Sequence, residues 1–142
     1  MIKPMSINKY NSEGYIDLTP YEALKSIERE AKKAAFKPIV FICSPLAGDV
    51  ERNLENARRY CRYAVAQNTI PIAPHLLFPQ FMDDGDPNQR DLAIFMGLVL
   101  LSKCQELWCF GERISAGMKV EIGKARQRSI PIRRFSADCR EA

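Results

Sequence analysis

The stretch Ile39-Val40-Phe41-Ile42-Cys43-Ser44-Pro45-Leu46-Ala47-Gly48-Asp49 decides how the rest of the chain is read. Its first five residues are apolar without a break, the pattern of a strand covered on both faces in a parallel sheet. Ser44 to Gly48 is rich in turn formers, and Asp49 is suited to cap a helix starting at Val50. In that helix Val50, Leu54, Ala57, Cys61 and Ala64-Val65 supply an inward face, and Asn68 closes it. A buried strand, a short loop and an amphipathic helix, in that order, open a β-α-β unit.

The alternation continues downstream. Ile70-Pro71-Ile72-Ala73-Pro74 reads as a short strand, and residues 75–85 as a loop. Asp86-Pro87-Asn88-Gln89 reads as a capping box opening a helix to about Lys103. Glu106 to Phe110 is the third strand, residues 116–128 the next helix, and Ile130-Pro131-Ile132 the last strand. Upstream, Thr19-Pro20-Tyr21-Glu22 forms a second capping box, with a helix to about Ala35 that Lys37-Pro38 ends. Strands and helices in strict alternation predict an α/β fold with a parallel sheet and right-handed crossovers. The expected division is an N-terminal arm and helix at 1–36, the α/β domain at 37–136 and a C-terminal tail at 137–142.

Composition narrows the class of protein. Hydrophobic residues at 46% and charged residues at 27% match an ordinary globular protein, and 142 residues suffice for one core. The net charge of +4 is mild, with dense basic groups only at Lys124/Arg126/Arg128 and Arg133-Arg134. Such a surface attracts phosphates but does not by itself argue for binding nucleic acid. The five cysteines are odd in number and contain no C-x-x-C pair, so they read as small buried hydrophobes in a reducing compartment. The first residues mix Lys, Pro, Asn and Glu, unlike a secretory signal. The longest apolar run, Leu92 to Leu101, falls well short of the roughly 20 residues that cross a bilayer. A cytoplasmic protein without membrane attachment is the expectation.

The chemistry concentrates in Ser115-Ala116-Gly117-Met118-Lys119-Val120-Glu121-Ile122-Gly123-Lys124-Ala125. It follows the strand Leu107-Trp108-Cys109-Phe110 and the loop Gly111-Glu112-Arg113-Ile114, which places its start at the carboxyl edge of the sheet. Free N–H groups at a helix start favour an anion there. Glu121 sits about one turn in and leans back over Gly117, whose missing side chain leaves room for a sugar ring. Two plainer readings stand beside this one: Ser115 as a simple N-cap, and Glu121 paired with Lys124 in solvent. On a helical wheel Met118, Ile122 and Ala125 form an apolar stripe with Glu121 at its flank, which favours the first reading.

Other candidates are weaker. The Ser44–Gly48 loop lies at the same edge and reads equally as ligand contact or plain turn; it lacks both G-x-G-x-x-G and the P-loop lysine. His75, the only histidine, ends the second strand, where a structural role and a functional one are both open. No second histidine or cysteine cluster supports a metal, and Asp83-Asp84-Gly85-Asp86 lacks the ligand spacing of a calcium loop.

Residues 38–135 resemble the nucleoside 2-deoxyribosyltransferase superfamily, including the 2'-deoxynucleoside 5'-monophosphate N-glycosidases and small bacterial and phage relatives. The likeness rests on the Cys43-Ser44-Pro45-Leu46-Ala47-Gly48 loop, the strand ending at His75, and Gly117 four residues before Glu121-Ile122-Gly123-Lys124-Ala125. It implies a three-layer flavodoxin/Rossmann-like sandwich without a cofactor or metal, assembled as a homodimer or higher oligomer with sites near subunit contacts. It implies Glu121 as a nucleophile on the anomeric carbon, resolved by water or a second base. Serine at position 115, where transferases of free nucleosides carry aspartate, implies a 5'-phosphorylated substrate held with help from Arg113. The resemblance further implies that Ser44, Gly48, His75, Gln105, Arg113, Ser115 and Gly117 contact the substrate. Gln105 stands where these enzymes carry an aspartate that assists the departing base. Glutamine has no such proton, so a nucleotide-binding module without turnover is the alternative to an enzyme.

Overall fold

The computed structural model describes residues 18–33 and 37–142. It divides at Lys37 into an N-terminal unit and a body that starts at Pro38. The N-terminal unit holds α1 (Leu18–Lys33), which already contains Thr19 rather than starting after it. Its exposed surface carries a Lys25–Glu28 pair at 3.8 Å, one turn apart. The arm at 1–17 and the expected helix end at residues 34–36 lie outside the described residues.

The body is a four-stranded parallel sheet with helices on both faces. β1 (Ile39–Cys43) leads through α2 (Val50–Ala66) to β2 (Ile70–Ile72). A short α3 (Pro74–Leu77) and α4 (Pro87–Leu101) precede β3 (Glu106–Phe110), and α5 (Ala116–Gln127) leads to β4 (Ile132–Phe135). The spatial order is β2-β1-β3-β4. Val40 pairs with Glu106 and Cys43 with Cys109 across β1 and β3, while Leu107 pairs with Ile132 across β3 and β4.

Side chains alternate across this sheet as strand geometry requires. Phe41, Cys43, Leu107 and Cys109 meet Leu101 of α4 and Met118, Ile122 and Ala125 of α5. Val40, Ile42, Trp108 and Phe110 point to the other face and meet Tyr60 and Ala64 of α2. Tyr60 stacks on Phe110 at 4.2 Å between ring centroids, and Phe110 stacks on Phe135 at 4.9 Å. Each such buried apolar side chain stabilises the fold by about 1.5–3 kcal/mol relative to exposure. The result is the three-layer, flavodoxin-like α/β sandwich expected.

The helix ends follow the caps read from sequence. The Asp49 carboxylate accepts from the Arg52 amide at 3.3 Å, and that of Asp86 from the Asn88 amide at 3.0 Å. Gln89 does not reach back to the Asp86 amide as a capping box requires: its Oε1 accepts from the Asp83 amide at 2.8 Å. Asn68 takes φ 63°, the left-handed turn that closes α2.

Two elements differ from expectation. The stretch 75–85 is not a plain loop, because α3 and a 3-10 turn at Phe78–Gln80 coil it. The last strand runs over Ile132–Phe135 instead of Ile130–Ile132. Pro131 has no N–H to donate, so pairing begins after it, with the Pro131 carbonyl accepting from Leu107 at 2.9 Å. Arg133 hid this strand from a polarity pattern. Its guanidinium lies 4.9 Å from the Trp108 ring centroid and pairs with Glu141 at 2.7 Å, so its stem packs like an apolar residue. Residues 137–142 fold back with it, Glu141 bridging antiparallel to Phe135.

Candidate active site

Chain order and sheet order part company between β1 and β3. From β1 the chain continues to β2 on one side, whereas β3 pairs on the other, so the loops leaving their carboxyl ends diverge. A crevice opens at such a point, and ligands of doubly wound sheets bind there. Gly48 and Gly111, with φ of 101° and 87°, turn the chain out of these two neighbouring strands. A cavity of about 530 Å³ occupies the position, and its lining includes Ser44, His75, Ser115, Gly117 and Glu121.

Ser115 extends before α5 at φ −74° and ψ 169°, and its hydroxyl accepts from the Met118 amide at 3.2 Å. It is therefore an N-cap, as the plainer reading held, and it also lines the cavity. A hydroxyl that accepts one hydrogen bond still has a proton to donate. The first amides of α5 add unsatisfied donors at the same place. Beyond them, a side chain built on Gly117 would meet only the Ser115 hydroxyl, at 4.0 Å, so the space over the first turn is open.

Glu121 follows one turn later, half-buried in the same cavity. Burial pushes its carboxyl up to about 7, against an opposing hydrogen bond from the Cys43 thiol. At neutral pH it is thus available both ionised and protonated. Its partner is not Lys124, which forms no ion pair with it among the described residues.

His75 begins the coiled segment after β2, with Nε2 2.9 Å from the buried Ser44 hydroxyl. Burial lowers its pKa to about 4, which leaves the ring neutral near pH 7. At the cavity wall it is a neutral hydrogen-bonding group rather than a charge.

The remaining expected residues stand apart from this group. Arg113 lines a neighbouring cavity of about 130 Å³ together with Ser44, Asn53 and Tyr60. Gly48 lies beside the Arg113 guanidinium, 3.8 Å from where its Cβ would be. Ser44 lines both cavities and joins them. Gln105 is a correction. It precedes β3 at the amino edge of the sheet, and its Oε1 accepts from the Ile39 amide at 2.6 Å. Parallel strands put that edge a full strand length from Glu121, so Gln105 is a sheet-edge cap and not a wall of the cavity. Glu106, next to it at the start of β3, accepts from the Trp108 indole at 2.7 Å.

The structure adds three carboxylates that the sequence did not single out as functional. Asp83, Asp84 and Asp91 line the cavity with Arg90, Phe78 and Met82. A solvated turn was the natural reading of Asp83-Asp84-Gly85-Asp86. Asp91 lies one turn into α4, a helix apolar on nearly every side, so no polar face marked which way it points. Only the coiling of residues 74–80 brings this segment over the site.

The comparisons with known proteins fit this architecture. A solved 2-deoxyribosyltransferase from Bacillus psychrosaccharolyticus is similar with a TM-score of 0.58 at 14% identity, over 69% of this chain and 72% of that one. A 2-desoxiribosyltransferase from Leishmania mexicana is similar with a TM-score of 0.50 at 15% identity, over 70% of this chain and 64% of that one. At such identities the likeness is one of fold. No curated protein matches the sequence. The chain belongs to the family described as a domain of unknown function (DUF7768), whose model matches residues 38–135. Among the described residues no helix is long and apolar enough to cross a membrane.

Proposed function

We propose that the protein cleaves or transfers the N-glycosidic bond of a (deoxy)nucleoside 5'-monophosphate, with Glu121 as nucleophile. The observation that carries this reading is that Glu121, Gly117 and Ser115 face one cavity from successive parts of a single helix start. An ionised Glu121 oxygen attacks the anomeric carbon, and the electron pair of the carbon–nitrogen bond leaves with the base. A glycosyl ester forms. Water, or a second base, then attacks the same carbon and releases the carboxylate.

The departing base needs a proton. Asp83, Asp84 and Asp91 are the acids that share the cavity with Glu121, so this role moves to them from position 105. The phosphate belongs at the opposite chemistry, where the Ser115 hydroxyl and the α5 amides are donors. Arg113, which lines the adjoining cavity with Ser44, is the cation proposed to meet the phosphate. The alternative is a module that binds a nucleotide in the same cavity without turnover, which tight binding in calorimetry with no release of base would favour.

A homo-oligomer is part of the proposal. Leu92, Phe95 and Val99 of α4 are 51%, 63% and 45% exposed, although that helix already buries Gly97 and Leu101. A helix apolar all round is one covered on both sides, here by a second copy. Ile94 of the same helix lines the cavity, which puts such an interface beside the site.

The test is a panel of nucleosides and their 5'-monophosphates, assayed for free base by chromatography, with Glu121→Ala as control. Base release from monophosphates that disappears in the variant is expected. Mass spectrometry of a denatured reaction mixture should find a sugar phosphate adduct on the Glu121 peptide. Unchanged release by Glu121→Ala removes the nucleophile assignment.

A further inference from the structure

The loop after β1 forms one wall of the main cavity, through Ser44, Leu46 and Ala47. Its two ends are fixed by their neighbours: Ser44 leaves β1 and is tied to His75, and Asp49 caps α2. The middle is held differently. Asn53, at the end of the first turn of α2, donates from its side-chain Nδ2 to the Leu46 carbonyl and to the Ala47 carbonyl, each at 3.0 Å. Among the described residues these are the hydrogen bonds that tie Leu46, Ala47 and Gly48 to the rest of the protein. Packing adds little, since Leu46 is half-buried and Ala47 and Gly48 are exposed.

We propose that Asn53 is a positioning residue, its carboxamide clamping the segment 46–48 so that this cavity wall is formed before substrate arrives. The role in binding rests on the reading of the cavity as a nucleotide site. Asparagine suits the task because its NH2 group carries two donors, one for each carbonyl, on a short stem. The helix that carries it is held to the sheet through Tyr60 and Ala64, so the donors are fixed relative to β1.

Planar trans peptides carry the effect across the loop. With the carbonyls of Leu46 and Ala47 turned to α2, the amides of Ala47 and Gly48 face the opposite way. Gly48, at φ 101°, gives the segment no stiffness of its own. Without the clamp these residues regain backbone freedom and must be ordered at each binding event, which weakens affinity. The chemistry on the bound substrate, carried by α5, is left as it was. Loss of Asn53 therefore acts on binding rather than on the chemical step.

Loop order and ligand binding are measured separately in the full chain. Nitrogen relaxation in the wild type is expected to give the amides of Leu46, Ala47 and Gly48 order parameters of about 0.85, falling below about 0.6 in Asn53→Ala and Asn53→Asp. Aspartate keeps the shape of asparagine and removes both donors. The β1 amides in these variants, and the loop in Glu55→Ala on the exposed face of α2, stay as in the wild type. A loop as ordered in either Asn53 variant as in the wild type overturns the clamp. Should neither variant fold, the wild type decides: Asn53 side-chain protons that exchange as fast as those of a solvated asparagine overturn it, and protected ones uphold it. Calorimetry with a deoxynucleoside 5'-monophosphate is expected to show Kd about tenfold higher in Asn53→Ala, with KM rising alike and kcat changing less than about twofold. A loosened loop with wild-type affinity overturns the role in binding. An ordered wild-type loop in a protein that binds no monophosphate upholds the clamp and overturns the nucleotide reading.

Discussion

The Ser44 hydroxyl stands 2.9 Å from Nε2 of His75, tying the loop after β1 to the helix after β2 at the rim of the cavity. Burial of the ring, rather than this bond, keeps it neutral. Near pH 7 the imidazole orients groups and does not deliver protons.

Stability should record this. The pKa of His75 falls from 6.5 to about 4 on folding, through burial. Between those values the unfolded chain binds the extra proton, so the contribution is full above pH 6.5 and is lost as pH falls toward 4. Urea unfolding at pH 7 and pH 5 measures it. His75→Gln, which keeps a partner for Ser44, should flatten the difference.

Glu121 works in the opposite sense. Its pKa rises from 4.5 to about 7, so the folded chain holds a proton the unfolded chain has released, and stability falls as pH climbs through that window. Glu121→Gln should therefore be more stable than wild type at pH 8, by up to about 3 kcal/mol, and equal to it near pH 4. The same variant should lose base release by roughly 10³-fold or more, while wild-type kcat/KM rises with pH to a plateau above about 7. Thermal melts and a pH–rate profile test both halves.

Gly117 separates folding from function. Nothing but the Ser115 hydroxyl lies within 4.0 Å of an added Cβ, so alanine enters without a clash. Gly117→Ala should stabilise α5 by about 0.5–1 kcal/mol. Gly117→Val should still fold, yet fill the space over Glu121 and raise KM or abolish turnover. A valine variant with wild-type kinetics would show that substrate does not pass over this turn.

Gln105 provides the complementary case. Its acceptor contact with the Ile39 amide is structural, so Gln105→Ala should lower stability by about 1 kcal/mol. Its kcat/KM should match the wild type. A selective loss of activity would return this residue to the site.

The outer face of α4 can be tested by charge. Phe95 is 63% exposed, and Phe95→Asp should leave the monomer fold intact. It should shift light-scattering mass from an oligomer to the monomer at matched concentration. An unchanged mass removes this face as the interface.

Much of the architecture was readable because local chemistry and tertiary structure agree there. The run Ile39–Cys43 is apolar throughout because both its faces are covered, and Asp49, Asp86 and Ser115 cap helices where their side chains satisfy first-turn amides. Glu121 stood out for the same kind of reason: it flanks the Met118, Ile122 and Ala125 stripe that locks its helix to the sheet. Where side-chain character and position disagree, pattern reading failed. Arg133 stacks its guanidinium on Trp108, so β4 was placed two residues early.

Periodicity and capping, which act over a few residues, were enough to establish the order of strands and helices and to put Ser115, Gly117 and Glu121 on the first two turns of one helix. Which distant groups share a cavity with that turn was decided by sheet pairing and chain reversal. Strand order set the loops after β1 and β3 side by side, and the coil at residues 74–80 brought Asp83, Asp84 and Asp91 to the cavity. Contacts across the fold depend on register and packing between segments far apart in the chain, and no local pattern encodes them.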